Sequence, residues 1–427
     1  MESSKKTNLL PILIIGLLFF IFGFVTWLNS ILIPFLQKAC ELTDQQSYYV
    51  ATAFFAAYFF LALPSSWILQ KTGTKNGMSI GLAIMAVGCL VFIPAAGARS
   101  FPMFLLGLFI QGAGLALLQT ASNPYVSVIG PIESAARRIS IMGICNKVAG
   151  ILGNVLLGAV LLKNVDAIQQ QIVTSADETI KTGLLDDLAS RVEMPYTALA
   201  IFLLAMAVVI KISNLPDISD QLTDSTDGDT DLSRGKKSIF QFPHLWLGAL
   251  TIFMYVGAEV MAGDLITIYG KNLGFSTDQS KFFTSFGLMG LLLGYIVSIV
   301  LIPKYVKQET WLTVSAILGL LFVVASYFAT GSVAVGFLAA LGFANAVMWP
   351  AIFPLGIRDL GRFTNVGSAL LVMGIAGGAI IPPFYGWLYE NAHLGLDFRS
   401  AFLVIMLVCY AYILWFGRIG HKVGTRS

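Results

Sequence analysis

Runs of about 20 apolar residues, each long enough to cross a hydrocarbon layer as an α-helix, recur along this chain with only short polar breaks between them. Of 427 residues, 57% are hydrophobic and 11% are charged, which is more apolar side chain than a water-facing fold of this length can hide. Lipid must therefore solvate much of the chain. The runs do not alternate between apolar and polar residues, which argues against a membrane β-barrel.

Spans are expected near 9–36, 47–70, 76–98, 102–129, 138–162 and 195–213, then near 244–270, 280–303, 310–330, 333–356, 364–388 and 397–417. The first is too long for a cleavable signal peptide and lacks a small-residue cleavage site. Cytoplasmic loops are enriched in Lys and Arg. With the N-terminus inside, most of the 26 basic residues fall on that side, among them Lys5, Lys6, Lys71, Lys75, Arg137, Arg138, Lys304, Lys307, Arg358 and Arg362. Both termini are then cytoplasmic. The net charge of +3 is a topology signal, and no basic patch with interleaved aromatics points to nucleic acid.

Asp217, Asp220, Asp224, Asp227, Asp229 and Asp231, followed by Arg234, Lys236 and Lys237, break the apolar rhythm. The expected organisation is a six-helix bundle over 1–213, a cytoplasmic linker over 214–243 and a second six-helix bundle over 244–427. A polar insertion at 163–194 should lie outside and carry one amphipathic helix around 180–192. The two halves echo one another. Asn123-Pro124 precedes Gly130 as Trp349-Pro350 precedes Gly356, and Met142-Gly143-Ile144 matches Met373-Gly374-Ile375. The expected fold is thus an all-α membrane protein of twelve transmembrane helices in two pseudo-symmetric bundles, which suits a rocking transporter with its solute held between them.

An ionisable side chain at mid-membrane costs at least ~2.5 kcal/mol on insertion scales, so it faces a bundle interior or a wet cavity. Lys147 in span five and Glu259 and Asp264 in span seven are the candidates. Lys147 is expected to pair with one of the two acids across the seam, and Glu259 lies deeper. Five residues separate the acids, about 140° around a helix, so only one of them should meet the cavity. Asn29, Gln111, Gln119, Asn123, Asn146, Asn154 and Asn345 add amides that both donate and accept, as a polyhydroxylated ligand requires. Trp27 and Trp349 offer platforms for the C–H face of a sugar ring. The alternative for any single amide is helix-to-helix bonding. Cys40, Cys89, Cys145 and Cys409 show no paired spacing and read as packing residues. No metal, cofactor or nucleotide-binding glycine loop is expected, and His244, His393 and His421 are too scattered for an intramembrane catalytic set.

These residues resemble the major facilitator superfamily, and within it the fucose, glucose and galactose transporter family, over nearly the whole chain. The most specific matches are Phe22-Gly23-Phe24 with Trp27-Leu28-Asn29 and Ile33-Pro34, Gln119 through Val126, Tyr255 through Glu259, and Pro350 through Gly361. The loop motif between spans two and three survives only weakly, as Lys71 through Lys75. The resemblance implies uptake of a hexose or related sugar by alternating access, coupled to H+ or Na+, by a monomer in a bacterial inner membrane. In the fucose branch, acids in spans one and four are associated with coupling and sugar contact. Ser30 and Gln119 stand at those positions here, so coupling would fall to Lys147, Glu259, Asp264 or a sodium ion. Glu133 through Lys147, with Glu259 and Asp264, looks more like the branch that handles glucose, galactose or N-acetylglucosamine. The candidate sugar site read from these side chains is Trp27, Asn29, Gln119, Asn123, Asn146, Glu259, Asn345 and Trp349. An uncoupled facilitator and a membrane sugar sensor are the rival readings.

Overall fold

A chain this apolar must satisfy its backbone hydrogen bonds within each span, and the helices do so. The computed structural model describes residues 9–128, 135–175, 177–213, 236, 238–390 and 395–425, with side chains from Ile14 onward except at 124, 125, 127, 128, 362 and 365. The acidic stretch of the expected linker, His393 and Glu133 lie outside the described residues. Among the described residues, twelve helices are long and apolar enough to cross a membrane. They are Ile14–Ala39, Asp44–Thr72, Thr74–Gly97, Phe101–Asn123, Ala135–Thr174 and Glu178–Ile212 in the first half. Those of the second half are Pro243–Gly263, Thr277–Leu301, Gln308–Phe328, Gly331–Ile357, Val366–Glu390 and Phe398–Arg418.

The fifth of these ranges holds two helices, and so does the sixth. The membrane helix Ala135–Leu161 is followed by Val165–Thr174, and Glu178–Ser190 precedes the membrane helix Glu193–Ile212. The insertion therefore carries two helices where one was expected. Asn164 adopts the left-handed conformation (φ 53°), which turns the chain out of the span. Asp177 then accepts from the Thr179 amide at 2.8 Å and starts the second helix.

Packing repeats between halves. Span one lies along span five, span two along four, three against four and six; span seven likewise lies along eleven, eight along ten, nine against ten and twelve. Close approach occurs at matching places. A Cβ on Gly112 would sit 2.2 Å from the carbonyl oxygen of Phe54, and one on Gly342 would sit 2.0 Å from that of Gly287. Only a residue without a side chain lets spans two and four, or eight and ten, come this near. The halves meet where span five packs on eight and span two on eleven.

Several helices are interrupted along their length. Span one breaks at Leu28, span seven at Asp264 and Leu265, and span ten after Asn345. Asn154 of span five braces the first break. Its Nδ2 donates to the carbonyls of Trp27 (3.1 Å) and Gly150 (3.0 Å), and the Ser30 hydroxyl lies 2.6 Å from its Oδ1. Backbone freed by the break thus finds partners inside the protein, as the bilayer demands.

Candidate functional site

A cavity of about 110 Å³ lies between the two halves. Lys147 and Glu259 reach it from opposite sides of the seam, and Lys147 Nζ lies 3.3 Å from Glu259 Oε1. Both are largely shielded, with side chains 7% and 15% exposed, so each needs the other. Removing one partner of such a pair strands a charge at a cost of about 3–5 kcal/mol. The ammonium also sits 4.3 Å from the centre of the Trp27 ring. Tyr255, one turn before Glu259, lines the same cavity.

Around this pair the walls are aromatic, with a few polar groups. Gln119 Nε2 donates to the Tyr58 hydroxyl at 3.1 Å, and the Trp27 indole N–H donates to Asn146 Oδ1 at 3.3 Å. Asn123, Trp349, Phe19, Phe22 and Phe55 complete much of the lining. The Tyr295 ring crosses from span eight onto Gly143 of span five, where a Cβ would lie 2.7 Å from the ring.

The expected residues do not all meet. Gln119, Asn123, Asn146, Lys147, Glu259, Trp27 and Trp349 line the cavity. Asn29 is buried outside this lining, and neither side-chain polar atom has a partner among the described residues. Asn345 accepts from the Tyr410 hydroxyl at 2.8 Å and borders a separate small chamber behind Trp27. Asp264 is 2% exposed and outside the lining, which agrees with the angular separation of the two acids. Trp27 is less available as a sugar platform than sequence suggests. Lys147 lies over its ring, Asn146 holds its N–H, and Gly150 and Gly263 pack against it, leaving it 5% exposed. Trp349 stacks on Phe353 and is the more open indole.

Tyr58, Tyr255 and Tyr295 were not among the site residues expected from sequence, although Tyr255 lies in a segment that carries the family resemblance. Tyr255 carried a usable signal, since it precedes Glu259 by four residues and shares its helix face. Nothing in the sequence around Tyr58 separates it from the other tyrosines of the spans.

The spans run alternately between two ends, one holding Ser213 and Pro243 and one remote from them. At the remote end the seam is shut. Lys271 Nζ donates to Gln37 Oε1 (2.9 Å), the hydroxyls of Tyr48 and Tyr389 lie 2.7 Å apart, and the Thr52 hydroxyl donates to the Ala379 carbonyl (2.9 Å). The Asp278 amide donates to Asp166 Oδ2 at 2.9 Å, tying the insertion of the first half to the second. Ion pairs Arg99–Asp186 (2.7 Å) and Lys181–Glu41 (3.4 Å) anchor that insertion on its own half.

The sequence profile of the Major Facilitator Superfamily matches residues 15–376. The chain is 32% identical to the glucose/galactose transporter of Brucella abortus, over 98% of this chain and 96% of that protein. It is 28% identical to the L-fucose-proton symporter of Escherichia coli, over 99% of this chain and 95% of the other. Among solved structures, the Major Facilitator Superfamily transporter FucP in the outward conformation superposes with a TM-score of 0.76 at 28% identity, covering 98% of this chain and 99% of that one. Profile, relatives and fold agree, and the chain belongs to the Major Facilitator Superfamily.

Proposed function

We propose that the protein is a secondary active transporter that takes up a hexose or related sugar (glucose, galactose, N-acetylglucosamine or fucose) by alternating access, coupled to H+. The observation that carries this reading is the Lys147–Glu259 pair, set across the seam between halves and facing a cavity rich in amides and aromatic rings. Gln119, Asn123 and Asn146 offer donors and acceptors to sugar hydroxyls, and Trp349 offers an apolar face. The relatives named as glucose/galactose transporters and a fucose-proton symporter support a sugar and a proton as the two cargoes. The bundles would be 1–213 and 244–427, joined by a cytoplasmic linker over 214–243, and the protein would act as a monomer in a bacterial inner membrane with both termini inside. The remote end is then the outer one, and the conformer described here is closed to the outside.

Counterflow in proteoliposomes with a panel of labelled hexoses and amino sugars tests the cargo. Saturable exchange of at least one of them is expected, and exchange of none would remove the reading. Uptake under imposed H+ and Na+ gradients tests the drive. Accumulation with acid outside is expected, and indifference to both gradients would leave a facilitator.

A further inference from the structure

Three ionisable groups share the buried centre of the protein, and their charges do not balance. Lys147 supplies one positive charge and is already engaged by Glu259 at 3.3 Å. Asp264 is 2% exposed, and its Oδ1 has no hydrogen-bond partner among the described residues. The charged groups acting on it are Glu259 on its own span and Lys147 on span five. One ammonium can neutralise one carboxylate, and a second carboxylate left ionised here would be an unpaired buried charge, which costs several kcal/mol. The burial is stable when Asp264 holds a proton.

Placement decides which acid carries that proton. Glu259 borders the cavity, whereas Asp264 lies five residues closer to the remote end, at the point where span seven breaks between Pro243–Gly263 and Ile266–Asn272. That is about 7.5 Å of helix rise beyond Glu259. Trp27 packs against Gly263, and the Thr284 hydroxyl donates to the Gly263 carbonyl at 2.7 Å, so the break is sealed from the cavity side. From the remote side it is covered by the Gln37–Lys271 and Tyr48–Tyr389 contacts.

Building on the transport reading above, we propose that Asp264, and not Glu259, binds the coupled proton. When the remote end is open, an O–H bond forms on the Asp264 carboxylate as one breaks in a hydronium ion of the water on that side. The proton is carried in the closed conformer, and the O–H bond breaks when the break in span seven opens to the cavity and water there accepts the proton as hydronium. One proton moves per cycle, and Lys147 keeps its charge throughout.

The test uses the full-length protein in proteoliposomes. Asp264→Asn fixes the site in a neutral state, so sugar accumulation driven by an acid-outside gradient should be lost while equilibrium counterflow of the same sugar persists. Asp264→Glu should restore gradient-driven accumulation. A residue that only shaped the helix break would depress exchange and accumulation together, so equal loss of both in well-folded Asp264→Asn overturns the assignment. So does continued accumulation by that variant. Asp264→Ser makes the same test if the amide variant does not fold. Wild-type protein must also take up protons when sugar is added in weak buffer; sugar exchange without such uptake overturns the proposal. Absence of any sugar exchange by the wild type would instead defeat the transport reading.

Discussion

The phenolic oxygens of Tyr48 in span two and Tyr389 in span eleven lie 2.7 Å apart and join the two halves at the remote end. Tyr48 is fully buried, so its hydroxyl has no water to turn to in this conformer. Together with Lys271–Gln37 this contact opposes opening on that side.

Removing the tyrosine pair should therefore favour the open state. Tyr48→Phe or Tyr389→Phe should each shift the equilibrium by about 1 kcal/mol, and the double variant should add little to either single one. Pulsed-EPR distances between labels at exposed Glu178 and Ser332 would report the change. An unaltered distance distribution would mean that the pair does not hold the seam.

The ion pair at the cavity gives a second prediction. Lys147→Ala or Glu259→Gln alone leaves one partner buried without compensation, and transport should fall sharply, by the equivalent of about 3–5 kcal/mol if the stranded charge stays buried. Exchanging the two, Lys147→Glu with Glu259→Lys, restores opposite charges across the same gap and should recover part of the counterflow. A correctly inserted double variant with no more activity than the singles would argue that the pair has direction as well as charge.

Much of this architecture was legible in the sequence, and the reason is the solvent. Lipid enforces about 20 apolar residues per crossing, so twelve spans stand out, and any charge inside them is conspicuous. That is why Lys147, Glu259 and Asp264 could be singled out, and why the pairing of Lys147 with Glu259 follows from depth. The neutral residues were harder to read. Asn29 and Asn345 look as suitable as Asn146, yet one is buried outside the cavity and the other is held by Tyr410. Helix rotation decides such cases, and an all-apolar span carries no polar face from which to read it. The first helix of the insertion, Val165–Thr174, was missed because its boundary rests on one left-handed residue, Asn164.

Gln119 Nε2 donates to the Tyr58 hydroxyl at 3.1 Å, and both line the space a sugar would occupy. Gln119→Ala removes the donor to Tyr58 and an amide available to a ligand. Loss of one such group is worth about 1–3 kcal/mol, so the half-saturating sugar concentration should rise by roughly 5- to 150-fold. Tyr58→Phe should raise it less, because the amide remains. If Gln119→Ala lowers maximal rate with no change in half-saturation, the residue belongs to the moving parts and not to the sugar site.

The last prediction concerns the contact that sets the spacing between spans. Gly342 of span ten faces the Gly287 carbonyl so closely that a Cβ would lie 2.0 Å from its oxygen, which is backbone and cannot swing aside. Gly342→Ala must push spans eight and ten apart, and overpacking of this kind costs about 1–3 kcal/mol. Gly336, six residues earlier in the same span, has no heavy atom within 4 Å of its would-be Cβ. Gly336→Ala should be neutral or stabilise by about 0.5–1 kcal/mol, because alanine has less backbone entropy to lose in a helix. Thermal unfolding of the two variants in detergent should move in opposite directions. Equal shifts would show that span spacing is not set at Gly342, and the matching contact of Gly112 on Phe54 would then lose its meaning as the mirror of this one.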